Sequence, residues 1–182
     1  MDGITLKQFM DVLAKGTDVK QVLVISCDQM DRINLDFLPA IVAINTEESN
    51  SNESNSHWIG LYIFRNKTDV QYEFFCSMGN GIDAYDIAYP QFFKENRLQV
   101  QQNHTYICSL YVLFFLHHKI KGLKFSNIQS KLCLNQYKND IYVLRYLQDI
   151  FIGKQIQLQT FYNIKPKYPN VVHFRYNIHE PG

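Results

Sequence analysis

The chain has 182 residues, of which 46% are hydrophobic and 14% aromatic, a composition that predicts one globular domain (1–182) and excludes a disordered chain. Eighteen basic and 17 acidic residues leave a net charge of +1 at pH 7, so no long-range attraction to nucleic acid or to an anionic membrane is expected. Four widely separated cysteines, with no metal-type pair and no N-terminal secretory signal, indicate free thiols in a reducing compartment, without a metal or cofactor.

The first half of the chain predicts a leading helix and then a group of strands. Helical spacing of apolar residues runs over 4–15 and ends before Gly16. The strands are predicted from short β-branched or alternating runs, and the unbroken apolarity of the second strand indicates burial on both faces. Their ranges are 22–27, 40–46, 57–64 and 70–77. The last two form a hairpin, and a polar loop without a single apolar residue, 47–56, delivers the chain to His57.

The second half predicts several helices. An aromatic-rich segment, 82–96, is predicted as a helix limited by Pro90, and 97–101 as a short strand. The run ICSLYVLFFL is too apolar for anything but a buried helix, begins near Cys108 and is too short to span a bilayer. Two further helices and two late strands complete the prediction, at 124–132, 139–151, 155–164 and 170–178.

Together these elements predict an α+β fold in which a central mixed sheet is packed against the helix that begins at Cys108, with other helices at its flanks. A thiol in the first turn of a helix lies among unpaired backbone amides at the positive end of the helix dipole, which favours its thiolate. Cys108 is therefore a candidate nucleophile. The alternative is a small apolar residue in the core.

Cys108 belongs to the last of four segments that stand in a fixed order. They are AIVAINTEES followed by SHWIGLYI, then YEFFCSMG, then LQVQQNHTYICSLYVLFFLH. Together they resemble the adenovirus-type (adenain-like) cysteine proteases, and still more the related proteases of Maverick/Polinton elements and adintovirus-like viruses. The resemblance covers about 22–150 and implies a papain-like fold; it assigns no role to a C-terminal extension, 153–182.

The resemblance implies a role for each matching residue. His57 would be the general base, Cys108 the nucleophile, and Gln101 an oxyanion donor together with the Cys108 backbone amide. Gln102 is the alternative oxyanion donor, since the two glutamines are adjacent. Trp58 would shield the imidazole of His57 and pack the wall of the cleft.

The chain departs from the family pattern in two places. Cys76 stands where the family has an acid that orients the histidine, and a thiol is a weak acceptor that cannot stabilise an imidazolium as a carboxylate does. Ser109 replaces the usual glycine after the nucleophile, and Ser77 follows Cys76 as possible support for the site. Glu73 should point to the opposite face of its strand and so cannot replace the missing acid. A Cys-His dyad or a degenerate triad is the expected arrangement.

Three functions are consistent with this pattern. The first is a viral or transposon-type thiol endopeptidase that processes polyprotein or capsid precursors inside the virion or the host cell. Its partners would be precursor peptides and an activating peptide, with no membrane or nucleic-acid partner. The second is an inactive pseudoprotease that serves as a binding or structural module. The third is a protease for ubiquitin-like modifiers.

Overall fold

The computed structural model describes residues 1–51, 57–85, 87, 94–103, 105–132 and 135–152. Within these ranges the chain forms four α-helices and five strands. In chain order they are α1 (Gly3–Ala14), β1 (Gln21–Ser26), β2 (Ala40–Asn45), β3 (Trp58–Asn66), β4 (Asp69–Phe75), β5 (Lys94–Glu95), α2 (Cys108–Ile120), α3 (Phe125–Ser130) and α4 (Gln136–Ile152).

The strands form one mixed sheet in the order β1-β2-β3-β4-β5. β1 runs parallel to β2 and β5 runs parallel to β4, whereas the pairs β2–β3 and β3–β4 are antiparallel. β3 and β4 form the predicted hairpin, whose register pairs Gly60 with Phe75. This register brings the start of β3 and the end of β4 to the same end of the sheet, which is where His57 and Cys76 lie.

Apolar side chains cover both faces of the sheet, as the sequence of β2 predicts. On one face α1, α2 and α4 pack over residues such as Ile41, Ala43 and Phe75. On the other face the core is made by Val42, Ile59 and their neighbours, with connecting segments laid over them. Ala40 to Ile44 are fully buried because each face has its own covering layer.

Most predicted elements are confirmed, with ends shifted by one to three residues. Two predictions are wrong in the part of the chain that the structure describes. The segment 82–96 begins with a short 3-10 helix, Ile82–Ala84, and ends in the edge strand β5. The segment 97–101 is not a strand, because Val100 and Gln101 both donate to the Ser77 carbonyl and so fold the backbone around that residue. The predicted strands 155–164 and 170–178 lie outside the described residues.

The helix α2 lies directly on β3, and Gly60 is the residue that allows this approach. A Cβ atom at residue 60 would lie 3.0 Å from Cδ1 of Phe115 and 3.5 Å from Cγ1 of Val112. Phe115 also stacks on Phe75 at 5.1 Å between ring centroids. No helix within the described ranges is long and apolar enough to cross a membrane. The apolarity of α2 therefore reflects burial on all sides inside the protein.

A buried ion pair closes the far end of α2 against the sheet. Lys119 Nζ lies 2.6 Å from Glu73 Oε2, and the two side chains are 8% and 4% exposed. The ammonium donates to the Leu123 carbonyl at 2.8 Å, whereas no hydrogen bond of regular geometry reaches Glu73 Oε2 from the described residues. Glu73 faces α2, on the opposite side of β4 from Cys76, as predicted. It does not contribute to the site.

This burial predicts an unequal response to substitution. Lys119→Met should destabilise the fold by up to about 3–5 kcal/mol, because it leaves the buried Glu73 carboxylate with only the exposed Lys94, 3.8 Å from Oε1, as a counter-charge. The double variant Glu73→Gln/Lys119→Met should be less destabilised than Lys119→Met alone. Urea unfolding measures all three proteins.

The exposed pair Lys7–Asp11, with side chains 40% and 51% exposed, provides the control. Lys7→Met should change the free energy of unfolding by about 1 kcal/mol or less. Equal decreases in the free energy of unfolding for Lys7→Met and Lys119→Met would show that the buried pair contributes no more to stability than the exposed pair.

Candidate active site

Cys108 is the first residue of α2. Among the described residues no side chain caps this helix end, and the backbone amides of Leu110 and Tyr111 already turn back to the Ile107 carbonyl. The Cys108 side chain is 9% exposed, so the thiol lies at the boundary between core and solvent. The backbone amides of Trp58 and Ser109 lie close enough to the thiol to favour its ionised form. Cys108 therefore lies beside the start of β3.

His57 immediately precedes β3. Its backbone amide donates to Thr46 Oγ1 at 3.1 Å, and its carbonyl accepts from the Thr46 amide at 2.9 Å. These two bonds extend the β2–β3 ladder by one residue and hold the imidazole at the sheet end. Trp58 follows, with its indole in the core close to Gly3. Its backbone amide lies close to the Cys108 thiol.

Cys76 follows the last residue of β4, and its sulfur lies 3.3 Å from His57 Nε2. This contact agrees with the expected position of Cys76, where the related proteases carry an acid. This contact uses Nε2, so Nδ1 is the ring nitrogen that does not take part in it. The side chain of Asn96 fixes the backbone of Cys76 by accepting from its amide at 2.8 Å and donating to its carbonyl at 2.6 Å.

The two candidate oxyanion donors point in different directions. Gln101 is 2% exposed; its Oε1 accepts from Ser77 Oγ at 2.7 Å, and its Nε2 donates to the carbonyl and hydroxyl of Thr105. Thr105 lies in the turn that leads to Cys108, so Gln101 is near the nucleophile. Gln102 instead donates to Asp140 on α4 at 3.0 Å. The structure thus brings Ser77 and Gln101 to the Cys108 turn and directs Gln102 away from it.

Sequence reasoning missed the buried network that supports this turn. Tyr111 donates to Asp140 at 2.7 Å and contacts the Val100 carbonyl at 3.0 Å, and Asn139 donates to the same carbonyl at 3.0 Å. A signal was present, because Asp140 is a charged residue in register with the apolar Leu144 and Leu147 of an amphipathic helix. The network ties α2 and α4 to the backbone just before Gln101.

A second feature missed from the sequence lies between Cys76 and Gln101. The backbone turns at Gly79, whose φ is +75°, and a Cβ there would lie 2.5 Å from the Gln99 backbone nitrogen. Glycine is therefore required both for the left-handed conformation and for the close approach. This turn lets 96–101 pack directly beneath 76–79, and so links the position of Cys76 to that of Gln101.

Burial dominates the electrostatics of the site. It raises the pKa of the Cys108 thiol, and the backbone amides of Trp58 and Ser109 offset this effect only in part. Burial also lowers the pKa of His57 to about 4. The backbone amides favour the thiolate, as expected, but the loss of solvent outweighs their effect. At neutral pH the resting site holds a neutral thiol and a neutral imidazole.

Comparison with known proteins gives a fold but no family. No protein-family model matches the sequence, and no curated protein is significantly similar to it. The crystal structure of ASFV pS273R protease is similar with a TM-score of 0.50 at 11% identity, over 78% of this chain and 65% of that one. The chain thus covers less than two thirds of that protein's length. A selenomethionine form of the same protease gives a TM-score of 0.37 at 14% identity, over 57% and 43%.

The TM-score of 0.37 is too low to support an argument, and at 11% identity the first match shows a shared fold alone. That fold is α+β, with a central mixed sheet, and is found in a viral cysteine protease. The predicted fold class is confirmed. The chemistry of this chain must be argued from its own side chains.

The buried imidazole predicts a pH dependence of stability. As the pH falls from 6.5 towards 4, the unfolded chain protonates His57 before the folded protein does, so the free energy of unfolding should fall. The difference between pH 7 and pH 4 should be about 2–3 kcal/mol smaller in His57→Gln than in the wild type. Urea unfolding at both pH values measures it. Parallel pH profiles for the two proteins would show that burial does not perturb His57.

Proposed function

We propose that the chain is a thiol endopeptidase with Cys108 as nucleophile and His57 as general base. The observation that carries this proposal is the arrangement at the sheet end. His57 directs Nε2 to Cys76 at 3.3 Å, while Cys108 occupies a helix N-terminus beside the next residue, Trp58. A thiol, an imidazole and a group that orients it are the parts that nucleophilic acyl transfer needs.

In the proposed reaction the Cys108 thiol passes its proton to His57 Nδ1 as the sulfur attacks the carbonyl carbon of a peptide. The resulting imidazolium donates from Nε2 to the sulfur of Cys76. The tetrahedral oxyanion is stabilised by the backbone amide of Cys108 and by Gln101. His57 then protonates the leaving amine as the carbon–nitrogen bond breaks. Water hydrolyses the thioester with His57 again acting as base, which restores the thiol.

This assignment requires a rearrangement at Gln101. Its amide N–H groups are directed at Thr105, so substrate must displace at least one of these bonds for Gln101 to reach an oxyanion. The hydrogen bond from Ser77 to Gln101 Oε1 does not involve the donor end and can persist. It would hold the amide in place while the Thr105 bond is exchanged.

The substrates we propose are viral or transposon polyprotein or capsid precursors, cut in the virion or in the host cell, with an activating peptide as partner. The order of the His57, Cys76, Gln101 and Cys108 segments and the fold shared with a viral protease support this choice. The resemblance to the proteases of Maverick/Polinton elements and adintovirus-like viruses rests on the sequence segments alone.

A binding module without turnover is the second candidate. The observation that favours it is the uncharged resting site, in which the pKa of His57 is about 4 and that of Cys108 is raised. With Cys76 in place of a carboxylate, the ion pair between the thiolate and the imidazolium is weakly supported. Reactivity of the Cys108 thiol separates the two candidates.

Cys108→Ala should abolish peptidase activity and labelling by iodoacetamide while it changes the free energy of unfolding by about 1 kcal/mol or less, because it removes one sulfur atom near the surface. Cys27→Ala, at another buried free cysteine, is the matched control and should retain activity. Wild-type labelling at Cys108 that rises with pH and is lost in His57→Ala supports the protease. Equal labelling of Cys108 in His57→Ala and in the wild type would favour the binding module.

Cys76→Asp should raise the rate at neutral pH by about one to three orders of magnitude. A carboxylate beside Nε2 raises the pKa of His57 from about 4, so the imidazolium, and with it the ion pair, persists to higher pH. The alkaline limb of the pH profile of kcat/KM should therefore move upwards. Cys76→Ser is the control, since a hydroxyl adds no charge. No gain from Asp over Ser would remove the orienting role of Cys76.

A further inference from the structure

The sulfur of Cys76 has a second polar neighbour besides His57. Tyr85 Oη lies 3.3 Å from Cys76 Sγ, and its ring lies nearly parallel to that of His57, with centroids 6.4 Å apart and an angle of 20°. Asn80 Nδ2 donates to the same Tyr85 oxygen at 3.3 Å. Cys76 itself is fully buried, so its S–H must be directed at one of the groups that surround it.

The direction of that S–H bond matters for the proposed reaction, on which this inference rests. A neutral imidazole carries one proton, so one ring nitrogen donates and the other accepts. If Cys76 donates to His57 Nε2, the ring proton sits on Nδ1, which then cannot accept the proton of Cys108. If Cys76 donates elsewhere, its sulfur can accept from Nε2–H and Nδ1 is free. A carboxylate, which only accepts, would not leave this choice open.

We propose that Tyr85 is a positioning residue, whose phenol oxygen accepts the Cys76 S–H and so selects the His57 tautomer with a free Nδ1. The oxygen is suited to this role because it is held at a fixed place by Asn80 and retains a second lone pair. In the protonated intermediate the same arrangement lets the sulfur lone pair face the imidazolium while the S–H dipole points away from it.

The environment of Tyr85 keeps its hydroxyl neutral. Burial raises the pKa of the phenol well above its usual value, and negative charge on Cys76 or Cys108 would raise it further. The phenol therefore keeps its proton through the working pH range, and its oxygen has a lone pair with which it can accept the S–H of Cys76.

The test is the tautomer of His57 in Tyr85→Phe, read from the nitrogen-15 shifts of its ring at pH 7, where the imidazole is neutral. We expect the Nε2–H form to dominate in the wild type and the ratio of the two tautomers to move towards Nδ1–H by about three- to tenfold in the variant, the factor that one neutral hydrogen bond represents. The value of kcat/KM should fall by a similar factor. Asn80→Ala, which removes only the tether, should shift both quantities less and in the same direction.

Cys76→Asp provides the background in which Tyr85 should not matter. Because a carboxylate has no proton to misdirect, Tyr85→Phe added to Cys76→Asp should leave the tautomer and kcat/KM unchanged within about twofold. A general structural loss would lower activity in both backgrounds and would overturn the proposal. So would an unchanged tautomer in Tyr85→Phe. The tautomer is measured without substrate, so an inactive wild type would refute the protease while leaving this test of Tyr85 valid.

Discussion

The complete burial of α2 is the constraint on which the rest of the structure depends. Every side chain from Cys108 to Lys119 is buried, including two histidines and a lysine. Such a helix has to be covered on all sides, and the sheet, α1 and α4 supply that cover. The first residue of the helix then lies where the buried segment begins, next to the end of β3. The packing of the core thus determines where the candidate nucleophile lies.

The same burial explains why the resting site is uncharged. Helix N-terminal amides favour a thiolate, but Cys108 has lost most of its contact with water, and His57 likewise. Residue 76 is not a carboxylate, and among the described residues no negative charge offsets the loss of solvent at the imidazole. In the proposed reaction, formation of the ion pair would therefore depend on what enters the site. A bound peptide would bring carbonyl dipoles and displace water at the same time, and both would change the balance between neutral and charged forms.

Much of the fold could be predicted from the sequence, because β2, β3 and α2 have long apolar patterns that a period of two or continuous burial explains. The expectation that His57, Cys76 and Cys108 share a site comes from the resemblance to the adenovirus-type proteases, and each of these residues stands at the start or end of such an element. The segment 82–101 could not. Its backbone is held by single polar contacts, such as those of Asn96 with Cys76 and of Ser77 with Val100 and Gln101, which leave no periodic pattern.

The pKa shifts of Cys108 and His57 could not be predicted from the sequence either. Whether a thiol at a helix N-terminus is ionised depends on how deeply the neighbouring strands bury it, and that depth is a property of the assembled core. The role proposed for Tyr85 could not be predicted from the sequence for a related reason. Its hydroxyl reaches Cys76 only because the turn at Gly79 brings the chain back across the end of β4.

The close contact between Gly60 and Phe115 is a point about which α2 can tilt. Phe115 is seven residues from Cys108, which is about 10 Å along a helix that rises 1.5 Å per residue. A tilt of only about 3° around that contact would move the Cys108 end by about 0.5 Å, a displacement comparable to the tolerance of a reacting pair of atoms. The position of the Cys108 sulfur therefore depends on side chains that lie far from it. These side chains lie on β3 and in the layer behind α2.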